Sequence, residues 1–295
     1  MKNLKLRGSY TALVTPFRKG KVDYERFARQ IEFQIANGTH GIVPCGTTGE
    51  SPTLSHEEHK KVIAVAVEVA NKRVPVIAGT GSNSTDEAVD LSRYAQKAGA
   101  DAILNVVPYY NKPTQEGQYR HFKEIAVKAR IPQVLYNIPG RCGTGLEVKT
   151  IERLAKIDEI IAIKEATGNI DMSSQILTST DLVVLSGDDS LTLPLLSIGG
   201  SGVISVVSNL FPRETANLVN AFFEGHIGKA QHCHLKLFSL VKTLFIETNP
   251  IPVKTAMKIL KMDSGEFRLP MCEMRPENEA VLAKALHSFQ ARGAR

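Results

Sequence analysis

Short apolar segments rich in β-branched residues alternate with amphipathic segments over most of this chain. The apolar segments lack the polar alternation of half-exposed strands, which is typical of parallel strands that are buried on both faces. We predict eight such strands, at residues 10–14, 41–45, 74–78, 102–107, 133–136, 160–164, 182–186 and 202–206.

Helix signals separate these strands. Asp23 opens an amphipathic segment that stops before Asn37 and Gly38, and Ser55 with Glu58 forms the pattern of a capping box. The helices predicted in this alternating part are 23–36, 55–70, 84–97, 114–129 and 146–156. Beyond about residue 208 the strands stop, and further helices are predicted at 213–224, 227–246, 252–260 and 277–292.

Eight strands with helices between them can form a closed barrel or an open doubly wound sheet. Polar segments follow strand after strand, as the carboxyl-end face of a barrel requires. The sequence also lacks GxGxxG after its first strand and GxxxxGK[ST] anywhere, which are the nucleotide-binding motifs of open sheets. We therefore predict an α/β fold: a (β/α)8 TIM barrel at 1–225 that carries the active site, with a C-terminal helical extension at 226–295 packed on it.

Charge and hydropathy narrow the possible partners. The formal net charge is +6, from 36 Lys and Arg against 30 Asp and Glu. Because the basic residues are dispersed and not interleaved with aromatic residues, we expect no nucleic-acid partner. Residues 1–8 lack the apolar core of a secretory signal, and Asp188 and Asp189 interrupt the apolar run 182–196. We therefore expect a cytoplasmic protein without a membrane partner.

The spacing of cysteine and histidine indicates no metal site. His56 and His59 lie in HEEH, one position short of the HExxH spacing of zinc proteases. The cysteines contain no CxxC pair, which argues against a zinc knuckle and against a disulfide framework. They are Cys45, Cys142, Cys233 and Cys272.

The strand predicted at 160–164 is apolar until it ends in Lys164. Loss of hydration at such a position disfavours the charged ammonium and lowers the pKa of the amine. A neutral amine can form an imine with a carbonyl substrate. The alternative is a lysine whose ammonium extends from the strand end into solvent.

Other polar segments also follow predicted strands. Thr47 and Thr48 lie in GTTGES (46–51), where hydroxyl and amide N–H groups could cradle a carboxylate. After the fifth strand, Tyr136 could relay protons and Arg141 could bind a carboxylate through two hydrogen bonds. The alternatives are an ordinary βα turn, a core aromatic residue and a surface arginine.

Nine motifs extend over nearly the whole chain. They are TP (15–16), GTTGES (46–51), AGTG (78–81), PYYNKP (108–113), YNIPGR (136–141), IKEATG (163–168), SGDD (186–189), GGSGVIS (199–205) and NPIPVK (249–254). In order and spacing they resemble the dihydrodipicolinate synthases, pyruvate-condensing enzymes of lysine biosynthesis in the N-acetylneuraminate lyase superfamily. The resemblance implies a (β/α)8 barrel with a C-terminal helical region, usually assembled as a homotetramer of two tight dimers.

The resemblance also implies roles for individual residues. Lys164 would form the imine with pyruvate, and Tyr136 would donate and accept protons over it. Thr47 and Tyr110 would complete a proton relay, with Tyr110 reaching in from the neighbouring subunit. Tyr109 and Tyr110 follow the fourth strand, where paired tyrosines suit either an interface or ordinary packing.

The two implied substrates, pyruvate and aspartate semialdehyde, both carry carboxylates. By the same resemblance, Thr48 would hold the pyruvate carboxylate and the backbone carbonyl of Ile204 would face the pyruvate site. Arg141 would pair with the carboxylate of the aldehyde. Because a lysine carries the covalent chemistry, no metal or organic cofactor is expected.

Three functional questions stay open at this point. The chain could instead be a pyruvate-dependent aldolase of a sugar acid, such as an N-acetylneuraminate or 2-keto-3-deoxy acid lyase. It could also be a catalytically inactive binding or regulatory homologue, because fold does not fix function. The third is inhibition by L-lysine, since lysine-sensitive family members bind it with residues that match a possible allosteric site here. These residues are His56, His59, Asn83, Glu87 and Tyr109.

Overall fold

The computed structural model of the protein describes residues 4–293. Residues 1–3 and 294–295 lie outside this range. The first three belong to the predicted barrel unit 1–225 and to the segment 1–8, and the last two belong to the predicted extension 226–295. The strands are β1 (Gly8–Ala12), β2 (Phe17–Arg18), β3 (Lys21–Val22), β4 (Gly41–Val43), β5 (Ile77–Gly79), β6 (Ala102–Val106), β7 (Gln133–Asn137), β8 (Ile160–Glu165), β9 (Val183–Ser186) and β10 (Gly202–Ser205). The helices are α1 (Tyr24–Ala36), α2 (His56–Ala70), α3 (Thr85–Ala98), α4 (Gln115–Ala129), α5 (Pro139–Cys142), α6 (Val148–Leu154), α7 (Ile170–Ser179), α8 (Thr192–Ser197), α9 (Pro212–Phe223), α10 (Ile227–Thr243), α11 (Ile251–Ile259) and α12 (Pro276–Gly293).

Eight strands form one parallel sheet in the order β4-β1-β10-β9-β8-β7-β6-β5. The two ends of this order meet through a parallel bridge between Ile42 of β4 and Val76, which directly precedes β5. The sheet is thus almost closed, with helices between successive strands. The predicted (β/α)8 TIM barrel is confirmed, and each predicted strand overlaps an observed one.

Element boundaries differ from the prediction where local hydrogen bonding differs. β5 begins at Ile77 rather than at residue 74, since Pro75 has no amide hydrogen to donate to a ladder. Helix α6 begins at Val148 rather than at residue 146 because the Leu146 N–H binds the Asn137 side chain at 3.0 Å. The pattern also missed the β2–β3 hairpin, whose strands have only two residues each, and the helices α5, α7 and α8.

The C-terminal helices share a hydrophobic core with the barrel. Leu237 of α10, Val253 of α11 and Leu282 of α12 are buried in one cluster with Val14 and Val203 of the barrel. The predicted C-terminal helical extension is therefore packed on the barrel, while its boundary at residue 225 stays a prediction. In residues 4–293 every helix is too short or too polar to cross a lipid bilayer.

Candidate active site

Lys164 and Tyr136 lie side by side at the carboxyl ends of two neighbouring strands. They are register partners in β8 and β7, and both side chains are buried, with 6% and 5% of their surface exposed. Lys164 Nζ lies 4.1 Å from the centroid of the Tyr136 ring. Parallel strands bring residues that are 28 positions apart in sequence into contact at this end of the barrel, where barrel enzymes carry their catalytic groups.

The environment of Lys164 favours the neutral amine. Burial lowers the pKa of Lys164 from 10.5 to about 7, with the nearby Asp189 carboxylate opposing the shift and the Arg141 guanidinium adding to it. Within residues 4–293 the Lys164 ammonium makes no ion pair, so Asp189 acts only as a charge at a distance. The side chain therefore does not extend into solvent, which removes the alternative interpretation of the sequence.

Two residues that the sequence analysis left without a role shape the space around Lys164. A Cβ atom at Gly187 would lie 2.6 Å from the Ala166 Cβ and 3.1 Å from Lys164 Cε, so a larger residue would clash with Ala166 and crowd the lysine side chain. Asp189 is buried, and its Oδ2 accepts hydrogen bonds from the N–H groups of Val206 and Val207 at 2.9 and 3.1 Å. Both residues belong to the SGDD motif, which was the available signal.

Tyr136 is held as a protonated phenol. Burial raises its pKa to about 12, while the Arg141 charge and a hydrogen bond with the Thr47 side chain oppose the shift. Thr47 follows β4 in the loop 46–51, so this bond joins two separate strand ends. The arrangement can pass a proton between the phenol and the Thr47 hydroxyl.

Thr48 and Arg141 meet through a residue from the C-terminal region. The buried Thr48 Oγ1 accepts a hydrogen bond from Asn249 Nδ2 at 3.0 Å, and Arg141 Nη2 donates to the Asn249 carbonyl at 3.1 Å. Arg141 itself is exposed on α5. Ile204 is buried in β10, with its side chain in the barrel interior beside Tyr136.

Sequence reasoning missed Asn249, and it also missed Lys254 in the same NPIPVK motif. The available signals were this motif and the position of Lys254 in an apolar helical segment. Lys254 is fully buried and forms an ion pair with Glu50, which belongs to the loop 46–51.

A cavity of about 410 Å³ opens beside this site. Thr47, Ile138 and Arg141 line one part of it. The residues of the possible lysine site lie in another part: His56, His59, Glu87 and Tyr109 line the cavity, and Asn83 Nδ2 donates to the Tyr109 carbonyl at 3.2 Å. Thr47 and Arg141 of the predicted active site therefore line the same cavity as four of the five predicted allosteric residues, within a single chain.

Polar contacts within the chain already engage part of the possible lysine site. His56 Nε2 lies 2.6 Å from Glu87 Oε1, and the Ser82 hydroxyl donates a short hydrogen bond to the same carboxylate. His59 is buried, with Nε2 2.7 Å from the Gly79 carbonyl. A ligand amine would have to share Glu87 with these partners.

Tyr110 differs from the other predicted catalytic residues of its own chain because it is exposed. Its side chain is 89% exposed, and its backbone adopts a left-handed φ of 70°. Bulky residues seldom adopt this conformation unless surrounding structure holds it. Contact of Tyr110 with a site in a second subunit stays a prediction.

In the part of the chain that the structure describes, no group of three His, Cys, Asp or Glu side chains could hold a metal ion. The four cysteines are free thiols, of which Cys45 and Cys142 are buried. The polar groups gathered here are an amine, a phenol, two threonine hydroxyls and a guanidinium. This set suits imine chemistry on a substrate with carboxylates.

The chain is similar to known proteins over nearly its whole length. It is 55% identical over 284 residues to the 4-hydroxy-tetrahydrodipicolinate synthase of Thermodesulfovibrio yellowstonii. The aligned residues cover 96% of this chain and 98% of that protein. The crystal structure of dihydrodipicolinate synthase from Aquifex aeolicus is 52% identical with a TM-score of 0.95, covering 97% of this chain and 98% of that one.

Two other solved relatives bear on assembly and regulation. One is described as a monomeric dihydrodipicolinate synthase variant, 40% identical with a TM-score of 0.94, covering 96% of this chain and 97% of that one. The other is the enzyme of Cyanidioschyzon merolae with lysine bound, 39% identical with a TM-score of 0.93, covering 96% and 98%. The sequence pattern of the dihydrodipicolinate synthetase family matches residues 5–289. Together with the barrel and the buried lysine, this match shows that the chain belongs to the dihydrodipicolinate synthetase family.

Proposed function

We propose that this chain condenses pyruvate with L-aspartate 4-semialdehyde, the 4-hydroxy-tetrahydrodipicolinate synthase reaction of the diaminopimelate route to lysine. The observation that carries the proposal is Lys164, a buried amine with a pKa of about 7 against the ring of Tyr136. The relatives named above support the synthase over a sugar-acid aldolase. Retention of both Lys164 and Tyr136 argues against an inactive homologue.

The proposed reaction begins on the neutral amine. Lys164 Nζ attacks the ketone carbon of pyruvate, and loss of water gives an iminium that withdraws electrons from the adjacent methyl group. A methyl proton leaves, and the resulting enamine attacks the aldehyde carbon of the second substrate. The substrate amine then attacks the imine carbon, closes the ring and releases Lys164 as a free amine. No metal or organic cofactor enters this sequence.

Tyr136 and Thr47 are proposed to move the protons. With a pKa of about 12, the phenol stays protonated until a stronger base forms beside it, and its bond with Thr47 supplies a route for the proton. Tyr110 of a neighbouring subunit is proposed to extend this route. Its exposure within its own chain, on a strained backbone, supports that assignment.

The carboxylates of the two substrates are assigned to different residues. Thr48 is proposed to hold the pyruvate carboxylate, with the Ile204 carbonyl facing the same site. Arg141 is proposed to pair with the carboxylate of the aldehyde, because a guanidinium binds a carboxylate through two parallel hydrogen bonds. A sugar-acid substrate presents hydroxyls at that position, so the arginine favours the semialdehyde.

We also propose a homotetramer of two tight dimers, in which Tyr110 completes the site of its dimer partner. The monomeric relative means that family membership alone does not decide assembly. We propose that the enzyme works in the cytoplasm, which its biosynthetic role supports. L-lysine, the pathway product, is proposed to bind at His56, His59, Asn83, Glu87 and Tyr109.

Borohydride reduction in the presence of pyruvate tests the proposed function. The reduced imine should add one pyruvate-derived mass to the peptide that contains Lys164, and folded Lys164→Ala should stay unlabelled. Labelling of the alanine variant would contradict the assignment of the nucleophile. Condensation activity with N-acetylmannosamine that exceeds activity with aspartate semialdehyde would contradict the choice of substrate.

A further inference from the structure

A second buried lysine, Lys254, joins the C-terminal region to the active-site loop 46–51. It lies on α11 and is 0% exposed. Its Nζ forms an ion pair with Glu50 Oε1 at 2.5 Å, and the Glu50 side chain is 1% exposed. The two residues are 204 positions apart in sequence, so this contact depends entirely on how the C-terminal region packs on the barrel.

The hydrogen-bond partners of Lys254 account for a full ammonium group. Besides Glu50, Nζ donates to the Thr15 carbonyl at 3.1 Å and to the Glu266 carbonyl at 2.6 Å. An ammonium has three donors, and here all three have acceptors. A buried charge that is paired and fully hydrogen-bonded is stable in place, whereas removal of its partner leaves an uncompensated charge.

Glu50 fixes the end of the loop that carries Thr47 and Thr48. Its backbone is left-handed, with a φ of 53°, and its N–H donates to the Thr47 carbonyl at 3.1 Å. The neighbouring Gly49 carbonyl accepts a hydrogen bond from the Thr15 hydroxyl at 2.6 Å. Because a left-handed glutamate is strained, the loop keeps this shape only while tertiary contacts hold it.

Asn249 holds the middle of the same loop. It lies five residues before Lys254, and its Nδ2 donates to Thr48 Oγ1 at 3.0 Å. A hydroxyl has one hydrogen to donate, and an oxygen that already accepts from Asn249 leaves that hydrogen available for another acceptor. The contact therefore orients Thr48 as a donor.

We infer that Lys254 is a positioning residue of the active site: through Glu50, and together with Asn249, it holds the loop 46–51 so that Thr47 and Thr48 face the substrate. The C-terminal region then helps to position the active-site loop, in addition to packing on the barrel. This inference rests on the proposed function, because it takes the roles of the two threonines from there.

Steady-state kinetics of Lys254→Met, Glu50→Gln and the double variant test this inference. In Lys254→Met the unpaired Glu50 carboxylate should displace the loop, and a displacement of about 1 Å can lower kcat/KM by about 10²-fold. We expect a raised KM for pyruvate and a lowered kcat. Borohydride should still label Lys164, because the lysine itself is unaffected. The double variant should recover part of the loss, since the Glu50 carboxylate is removed together with its ion-pair partner.

Two control variants separate the possible outcomes. Leu286→Ala removes a buried side chain of α12 away from the loop, and it should lower Tm while KM for pyruvate and kcat stay within about twofold. Thr48→Val should raise KM for pyruvate if the proposed function assigns Thr48 correctly. An unchanged KM would contradict that assignment, whatever the kinetics of Lys254→Met. If Thr48→Val raises KM while folded Lys254→Met has normal kinetics, the inference about Lys254 is wrong. Should Lys254→Met not fold, unchanged kinetics in the double variant would overturn it.

Discussion

The two buried lysines among residues 4–293 have similar surroundings but different partners. Lys164 is 6% exposed with Nζ 4.1 Å from the Tyr136 ring centroid, and Lys254 is 0% exposed with Nζ 4.3 Å from the Phe17 ring centroid. Burial lowers the pKa of both amines. The difference is a carboxylate in contact: Glu50 pairs with Lys254, whereas Asp189 acts on Lys164 only from a distance.

This comparison shows that burial alone does not make a lysine a nucleophile. Desolvation disfavours the ammonium at both positions, but a paired carboxylate and two backbone carbonyls stabilise it at Lys254. Lys164, with an aromatic ring and no ion pair, can lose its proton near neutral pH. Function therefore follows from the partner that each amine meets.

Replacement of Lys164 should have the largest effect on activity. Lys164→Met removes the imine-forming amine, and turnover should fall by about 10³-fold or more. The free energy of unfolding in urea should stay unchanged or rise at pH 7, because the variant no longer buries an unpaired amine. Retained activity would contradict the role of Lys164 as the nucleophile. A stability loss like that of Lys254→Met would contradict the difference drawn between the two lysines.

Replacement of Lys254 should have the largest effect on stability. Lys254→Met leaves Glu50 buried without a counter-charge, which should lower the free energy of unfolding by about 3–5 kcal/mol. Glu50→Gln combined with Lys254→Met should lose less than Lys254→Met alone. Equal stability of Lys254→Met and the unmodified chain, measured by urea unfolding, would show that the ion pair contributes nothing.

Arg141 tests the comparison of the two lysines further, because its positive charge helps to lower the pKa of Lys164. Arg141→Ala should lower kcat/KM for aspartate semialdehyde, because the lost charged hydrogen bond stabilises the transition state by about 1.5–3 kcal/mol. Imine formation with pyruvate should survive. The exposed Arg120, in an ion pair with Glu116 on one helix, offers a matched control, and Arg120→Ala should be neutral. Unchanged aldehyde kinetics in Arg141→Ala would refute the assigned role.

The pH dependence of imine formation tests the state of Lys164 directly. Because its pKa is about 7, the rate of borohydride-trapped labelling should rise between pH 6 and pH 8 as the neutral amine forms. Asp189→Asn removes the charge that raises this pKa, so its profile should shift to lower pH. A rate that rises only above pH 9 would mean an ordinary lysine.

The same pKa has a consequence for stability. The unfolded chain keeps its proton up to the ordinary pKa of 10.5, whereas folded Lys164 releases its proton above about 7. Between these values the unfolded state binds more protons, so the penalty that this group imposes on folding decreases as pH rises. The stability advantage of Lys164→Met should therefore shrink from pH 7 towards pH 10.

Inhibition by L-lysine is the smallest expected effect. Glu87 can pair with a lysine amine, but it already contacts His56 and Ser82, so binding should be weak. We expect partial inhibition in millimolar lysine that disappears in Glu87→Ala. Initial rates measured across a lysine titration decide the matter, and full activity of the unmodified chain throughout would remove the proposed site.

The sequence by itself determined the barrel, the helical extension and the candidate nucleophile. Buried parallel strands leave continuous apolar runs, and amphipathic helices leave a period of 3.6 residues, so both are visible locally. Lys164 was found because it ends such a run and therefore breaks the local pattern. The hairpin of β2 and β3 was missed because two residues are too few for any period to appear.

Only the tertiary structure decided which charges meet. In sequence Lys254 lies in an apolar helical segment, and nothing near it indicates that its partner is Glu50, 204 residues earlier. In the same way, the contacts of Asn249 with Thr48 and Arg141 join segments 201 and 108 residues apart. Local periodicity is set by neighbours along the chain, whereas an ion pair or a lowered pKa is set by neighbours in space. For this reason the sequence could identify Lys164 as the candidate nucleophile but could not reveal that Lys254 is paired with Glu50 of the loop 46–51.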